Sequence, residues 1–84
     1  MNRREQLDEQ TRHVIAHLVQ RAPVDVRPGD RLVEDLALDS LDFASLLVSL
    51  EDRFGIAIQA RQLRHVHTVA DLQAMIGAQM DPAP

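Results

Sequence analysis

Between Asp39 and Gly55 the sequence spells out one amphipathic helix together with both of its ends. Asp39 suits the N-cap, and Asp42 falls at N3, where a carboxylate favours the positive end of the helix dipole. Gly55 suits the C′ position after Phe54, so a second helix is expected over about 40–54. With Leu41 set at zero, Phe43, Leu46, Leu47, Leu50 and Phe54 fall between about 140° and 240°, which makes that arc the core face. The opposite strip carries Leu41, Ser45, Val48 and Asp52, bordered by Ala44 and Glu51. Single exposed apolar residues are common. Two on one strip, with the core face already filled by larger groups, read instead as a docking surface.

Ser40 takes the first helical position, with its hydroxyl at the mouth of the helix and open to solvent. Unpaired backbone N–H groups and the positive end of the dipole suit that place to a phosphate ester. Thiol chemistry would have to arrive on a ligand, because the chain contains no cysteine. The same absence excludes a disulfide framework, a zinc–thiolate site and a cysteine nucleophile. With no tryptophan or tyrosine and two phenylalanines, stacking platforms for nucleic-acid bases are not expected.

The net charge of −4 is unevenly spread. Residues 1–21 carry +1 and residues 59–84 carry zero, whereas residues 22–58 carry −5. An acidic region around Ser40 disfavours nucleic acid and favours basic protein surfaces. No apolar run resembles a signal peptide or a membrane span, so a cytoplasmic protein is expected.

Eighty-four residues make a single domain with a small core. A first helix is expected over about 3–20, where Leu7, Thr11, Val14, Ile15 and Leu18 share one arc and Val19 lies at its margin. His13 and His17 fall on the far side; their spacing could hold a metal, but no third ligand is evident, so no metal is expected. Residues 22–38 form a long connection punctuated by Pro23, Pro28 and Gly29. Leu32, Val33, Leu36 and Leu38 are expected to tuck it onto the bundle. A short helix is expected over about 60–65 with Leu63 and Val66 inward, and Ile58 reaching the core. Thr68 suits the N-cap of a last helix over about 69–80, with Asp71 at N3 and Val69, Leu72, Ile76 and Met80 on one stripe. Residues 81–84 read as a frayed tail. With no repeats and no β pattern, the fold class is all-α: a small antiparallel bundle of three main helices and one short one.

Asp39-Ser40-Leu41-Asp42, followed by Leu46, Leu47, Leu50-Glu51, Phe54-Gly55-Ile56, Ile58, Thr68-Val69 and Asp71-Leu72, resembles an acyl carrier protein. The resemblance is sharp from about Asp30 to Ile76 and loose before that. It implies a monomeric carrier that is not itself an enzyme. A phosphopantetheinyl transferase would move 4'-phosphopantetheine from coenzyme A onto Ser40. Acyl groups held as thioesters on that arm would then be presented to acyl-activating, ketosynthase or acyltransferase enzymes of fatty-acid, polyketide or related specialised lipid biosynthesis. Asp39, Leu41, Asp42, Ser45, Val48, Glu51 and Asp52 would meet basic partner surfaces. Phe43, Leu47, Leu50, Leu63 and Val66 would line the acyl cavity, with Phe43 filling part of it.

Two departures from the family stand out. Ala37 occupies a position where glycine is usual, so the backbone there is expected to accept a Cβ. After Ile58, where a proline and acids are common, the chain has Gln59, Arg61, Arg64, His65 and His67. Other readings remain open. An aminoacyl or peptidyl carrier would use the same serine, and an unmodified helical interaction module would use only the strip on the second helix. A hydrolase using Ser40 and one of the four histidines lacks a strand–elbow context and an oxyanion site.

Overall fold

Each of the three long helices starts where a side chain turns back onto its own backbone. Asn2 opens α1, Arg3–Val19, by accepting a hydrogen bond from the Glu5 N–H at 2.8 Å. Asp39 and Asp42 form a reciprocal capping box at the start of α2, Ser40–Phe54. Thr68 and Asp71 do the same for α3, Val69–Met80: Thr68 Oγ1 accepts from the Asp71 N–H at 3.1 Å, and Asp71 Oδ2 accepts from the Thr68 N–H at 3.0 Å. Left-handed residues close the first two helices, Gln20 at φ 58° and Gly55 at φ 65°. The computed structural model describes residues 2–80; the tail expected over 81–84 lies outside the described residues.

The apolar arcs meet in one core. Ile15 of α1, Leu46 and Leu50 of α2, and Val69, Leu72 and Ile76 of α3 are wholly buried. Helix α1 packs against both α2 and α3. Emptying one of these leucine positions would cost on the order of 2–5 kcal/mol, a large share of the stability of so small a domain. Thr11 is buried in the same seam, its hydroxyl donating to the Leu7 carbonyl at 2.8 Å. Gln73 ties α3 to α1 by donating from Nε2 to the Asp8 carbonyl at 3.0 Å. Phe43, Leu47 and Phe54 are half-buried, so the fully enclosed part of the α2 face narrows to Leu46 and Leu50.

The long connection is ordered by its own hydrogen bonds. A single 3₁₀ turn, Pro23–Asp25, leads into Val26, which is wholly buried and joins the four residues of this connection read as apolar anchors. The segment 31–36 coils into a turn, with Asp35 and Leu36 both donating to the Arg31 carbonyl. Leu32 and Leu36 therefore share its inner face and are buried. Val33, one step round the coil, is 55% exposed, which corrects the expectation that it tucks inward. Arg31 clasps the turn shut: its backbone N–H donates to Asp35 Oδ2 at 2.7 Å, and its guanidinium reaches the same carboxylate at 3.2 Å. Those bonds hold the Asp35 carboxyl below the usual aspartate range.

A second set of bonds stitches this loop to the start of α3. The Leu32 N–H donates to the His67 carbonyl, the Val69 N–H to the Asp30 carbonyl and the Ala70 N–H to the Pro28 carbonyl, each at 2.9 Å. An isolated antiparallel bridge joins Arg31 to Thr68. On its other side Leu32 accepts from the Leu38 N–H at 3.1 Å. Between the buried Leu36 and Leu38, Ala37 is exposed and sits at φ 57°, the left-handed region. The backbone is thus in a glycine conformation after all, and the alanine methyl is accommodated by pointing out of the fold rather than by an ordinary turn.

The short helix, Ala60–His65, is of the 3₁₀ type, and at its start the Gln59 N–H donates to Gln62 Oε1 at 2.7 Å. Leu63 is half-buried and Val66 buried, as the spacing predicts. Ile58 is half-buried against the core.

Candidate functional site

Ser40 is the first residue of α2 and is exposed. The capping box encloses its two acidic neighbours: Asp39 Oδ1 accepts from the Asp42 N–H at 2.8 Å, and Asp42 Oδ2 accepts from the Asp39 N–H at 3.2 Å. The Ser40 hydroxyl lies outside that ring. Among the described residues the backbone N–H groups of Ser40 and Leu41 have no acceptor, while Phe43 begins the helical ladder on the Asp39 carbonyl. Two free N–H donors and the positive helix end therefore sit beside an accessible hydroxyl. The following residue, Leu41, is 80% exposed as well.

The outward strip of α2 is as the wheel places it. Leu41, Ser45, Val48 and Asp52 are all exposed, Val48 to 65%. Glu51 differs from the rest of the strip. It is half-buried, and Oε2 accepts from the Ile58 N–H at 2.8 Å, so it holds the chain after α2 instead of standing free at the rim. Nothing in the helical spacing distinguishes that role, because the bond spans an irregular connection. Of the expected acyl-cavity residues, Leu50 and Val66 are buried, and Phe43, Leu47 and Leu63 are half-buried.

A cleft of about 440 Å³ between α1 and α2 is bordered by His13, His17, Ser49 and Asp52. It lies toward the far end of α2 from Ser40 and shares only Asp52 with the outward strip. Among the described residues, no three His, Cys, Asp or Glu side chains gather as a metal-ligand set. No described helix is long and apolar enough to cross a membrane.

Comparison with known proteins is decisive. The phosphopantetheine attachment site family matches residues 9–76, most of the chain, with Ser40 inside the matched stretch. An acyl carrier protein of Helicobacter hepaticus is 40% identical over 68 residues, covering 77% of this chain and 90% of that one. The chain belongs to the acyl carrier protein family.

The acyl carrier protein MbtL of Mycolicibacterium paratuberculosis is 44% identical over 54 residues, a stretch covering 64% of this chain and 61% of that protein. Among solved structures, the acyl carrier protein candidate Rv0033 of Mycobacterium tuberculosis superposes with a TM-score of 0.78 at 29% identity, covering 86% of this chain and 96% of that one. Acyl carrier proteins are carriers rather than catalysts, and the family holds 4'-phosphopantetheine covalently. They work with a phosphopantetheinyl transferase and with biosynthetic enzymes. The entrance of α2 fits such a group chemically: it offers an exposed hydroxyl beside two N–H groups that have no acceptor among the described residues.

Proposed function

We propose that Ser40 is the residue that carries 4'-phosphopantetheine, and that this acyl carrier serves enzymes of fatty-acid, polyketide or related specialised lipid biosynthesis. The observation that carries the reading is the exposed Ser40 at the first position of a capped helix, beside unpaired Ser40 and Leu41 N–H groups. The bound arm supplies a terminal thiol that holds acyl groups as thioesters. The chain's own residues do the rest. Asp39 and Asp42 fix the helix start and offer negative charge to a basic transferase or synthase surface. Leu41 and Val48 supply apolar contact, with Ser45 and Asp52 beside them. Tethering substitutes a high local concentration for free diffusion of the cargo. Rim charges of this kind act mainly on association rate and its salt dependence.

The basic run after Ile58 favours enzymes of a specialised pathway, because partners reading acid at that end would meet arginine instead. Incubation with coenzyme A and a broad-specificity phosphopantetheinyl transferase, followed by intact-mass measurement, tests the attachment. The wild-type chain gains one phosphopantetheine and Ser40→Ala gains none. A wild-type chain that stays bare, or a Ser40→Ala chain that is still modified, overturns the assignment.

A further inference from the structure

From Arg53 to Ala70 the chain carries three arginines and two histidines and no carboxylate, in a protein whose net charge is −4. Three of the arginines elsewhere are paired with nearby carboxylates: Arg4 with Asp8, Arg12 with Glu9 and Arg31 with Asp35. Arg61 and Arg64 are exposed and, among the described residues, have no carboxylate partner. The 3₁₀ geometry of Ala60–His65 aligns them, because residues three apart eclipse one another in such a helix. Leu63 faces inward, with the buried Val66 just past the helix end, and Arg61 and Arg64 form a second, exposed edge.

The main chain just after this helix is tied to the segment that leads into α2. The Leu32 N–H donates to the His67 carbonyl at 2.9 Å, and the Leu32 carbonyl accepts from the Leu38 N–H at 3.1 Å, two residues before Ser40. One residue therefore bridges the two segments, and standard backbone dimensions keep the His67 carbonyl and the Leu38 amide within about 10 Å. The acids Asp39 and Asp42 thus follow one end of this main-chain link, and the segment carrying Arg61 and Arg64 leads into the other.

We infer that Arg61 and Arg64 form a second docking half that engages a carboxylate-rich patch on a partner protein, next to the basic patch that meets α2. The inference rests on the carrier reading for its choice of face. A protein patch fits better than nucleic acid or an anionic membrane. Either continuous polyanion would be repelled by the neighbouring Asp39 and Asp42, whereas a localised acidic patch would not. A two-signed face also fixes the direction in which a partner sits over Ser40, which a uniformly acidic carrier cannot do.

The test uses the full chain and a capped Gly-Glu-Glu-Gly peptide as the localised acidic probe, followed by amide and arginine side-chain NMR shifts at low salt. The peptide should move signals of residues 60–67, and the double variant Arg61→Gln/Arg64→Gln should bind about threefold to tenfold more weakly, the range for two exposed ion pairs. Intact-mass gain at Ser40 in the same variant shows that folding and the carrier role survive, which separates failure of this inference from failure of that reading. Equal binding by wild type and variant, shifts centred away from 60–67, or tighter binding to a DNA oligonucleotide or phosphatidylserine vesicles than to the peptide would overturn it. Salt-sensitive self-association through this edge would overturn it as well.

Discussion

Replacing Ala37 by glycine should make the protein more stable. Ala37 is held at φ 57° by its neighbours, because Leu36 and Leu38 are both buried and both donate backbone hydrogen bonds into the 31–32 segment. The left-handed conformation costs an L-residue about 1–2 kcal/mol through the clash of its Cβ with the following carbonyl. Glycine removes that clash and adds about 0.5–1 kcal/mol of backbone entropy to be lost on folding. The exposed methyl contributes little packing, so the balance favours Ala37→Gly by about 0.5–1 kcal/mol. For a domain of this size that is about 2–8 °C in Tm. Urea unfolding and thermal melts followed by far-UV circular dichroism would measure it, with the urea m value unchanged because the same surface is exposed. Ala37→Val supplies the opposite control: a β-branched residue at positive φ should lose at least about 1 kcal/mol. An Ala37→Gly protein no more stable than wild type, or an Ala37→Val protein equally stable, would refute the claim that this turn stores strain.

Other expectations follow from the packing and the caps. Phe43→Ala should enlarge the space between α2 and the later segments, so that a medium-chain acyl thioester on the arm hydrolyses more slowly than in wild type; equal hydrolysis rates and unchanged core NMR shifts would remove the idea. Asp71 accepts from the His67 and Thr68 N–H groups, and those bonds hold its carboxyl below the usual aspartate range, as the Arg31 contacts do for Asp35. A lowered folded-state value means that this stability is present above the unfolded pKa of about 4 and is lost as pH falls through the folded one. Tm should therefore drop between about pH 5 and pH 3, and Asp71→Asn should flatten that drop while lowering Tm at pH 7; an unchanged pH slope would dismiss the role of Asp71. A Cβ at Gly77 would come within 3.0 Å of the Arg4 guanidinium, the far end of a flexible side chain. Gly77→Ala should gain about 1 kcal/mol of helix propensity and lose at most the weaker Arg4–Asp8 pair, for a net stabilisation of about 0.5 kcal/mol in the same melts, and destabilisation would show that Arg4 cannot move aside.

The helices and their caps were legible in the sequence because their determinants are local. Asp39 with Asp42, Thr68 with Asp71, and Gly55 each act within a few residues, and apolar spacing alone places Leu46, Leu50, Leu72 and Ile76 inside. The exposed place of Ser40 at the first position of α2 was legible for the same reason. What sequence spacing missed depends on contacts between segments far apart in the chain. The turn at 31–36 sends Val33 outward although it is as apolar as its neighbours. Glu51 looks like a rim acid until the chain after α2 folds back to donate the Ile58 N–H to it. The conformation of Ala37 is set by buried leucines on either side, which a residue-by-residue reading of the loop cannot supply. The alignment of Arg61 with Arg64 needed the pitch of the short helix, since three-residue and 3.6-residue repeats separate the charges differently.

Leu32 clips three strands of main chain together through its own N–H and C=O. The spacing between the segment that leads into Ser40 and the one that follows the arginines is thereby a property of peptide groups, indifferent to the side chains displayed on either flank. Surface charges on this face can consequently be exchanged during evolution or engineering without relocating the anchor point, so partner choice can drift while the tether's origin stays put.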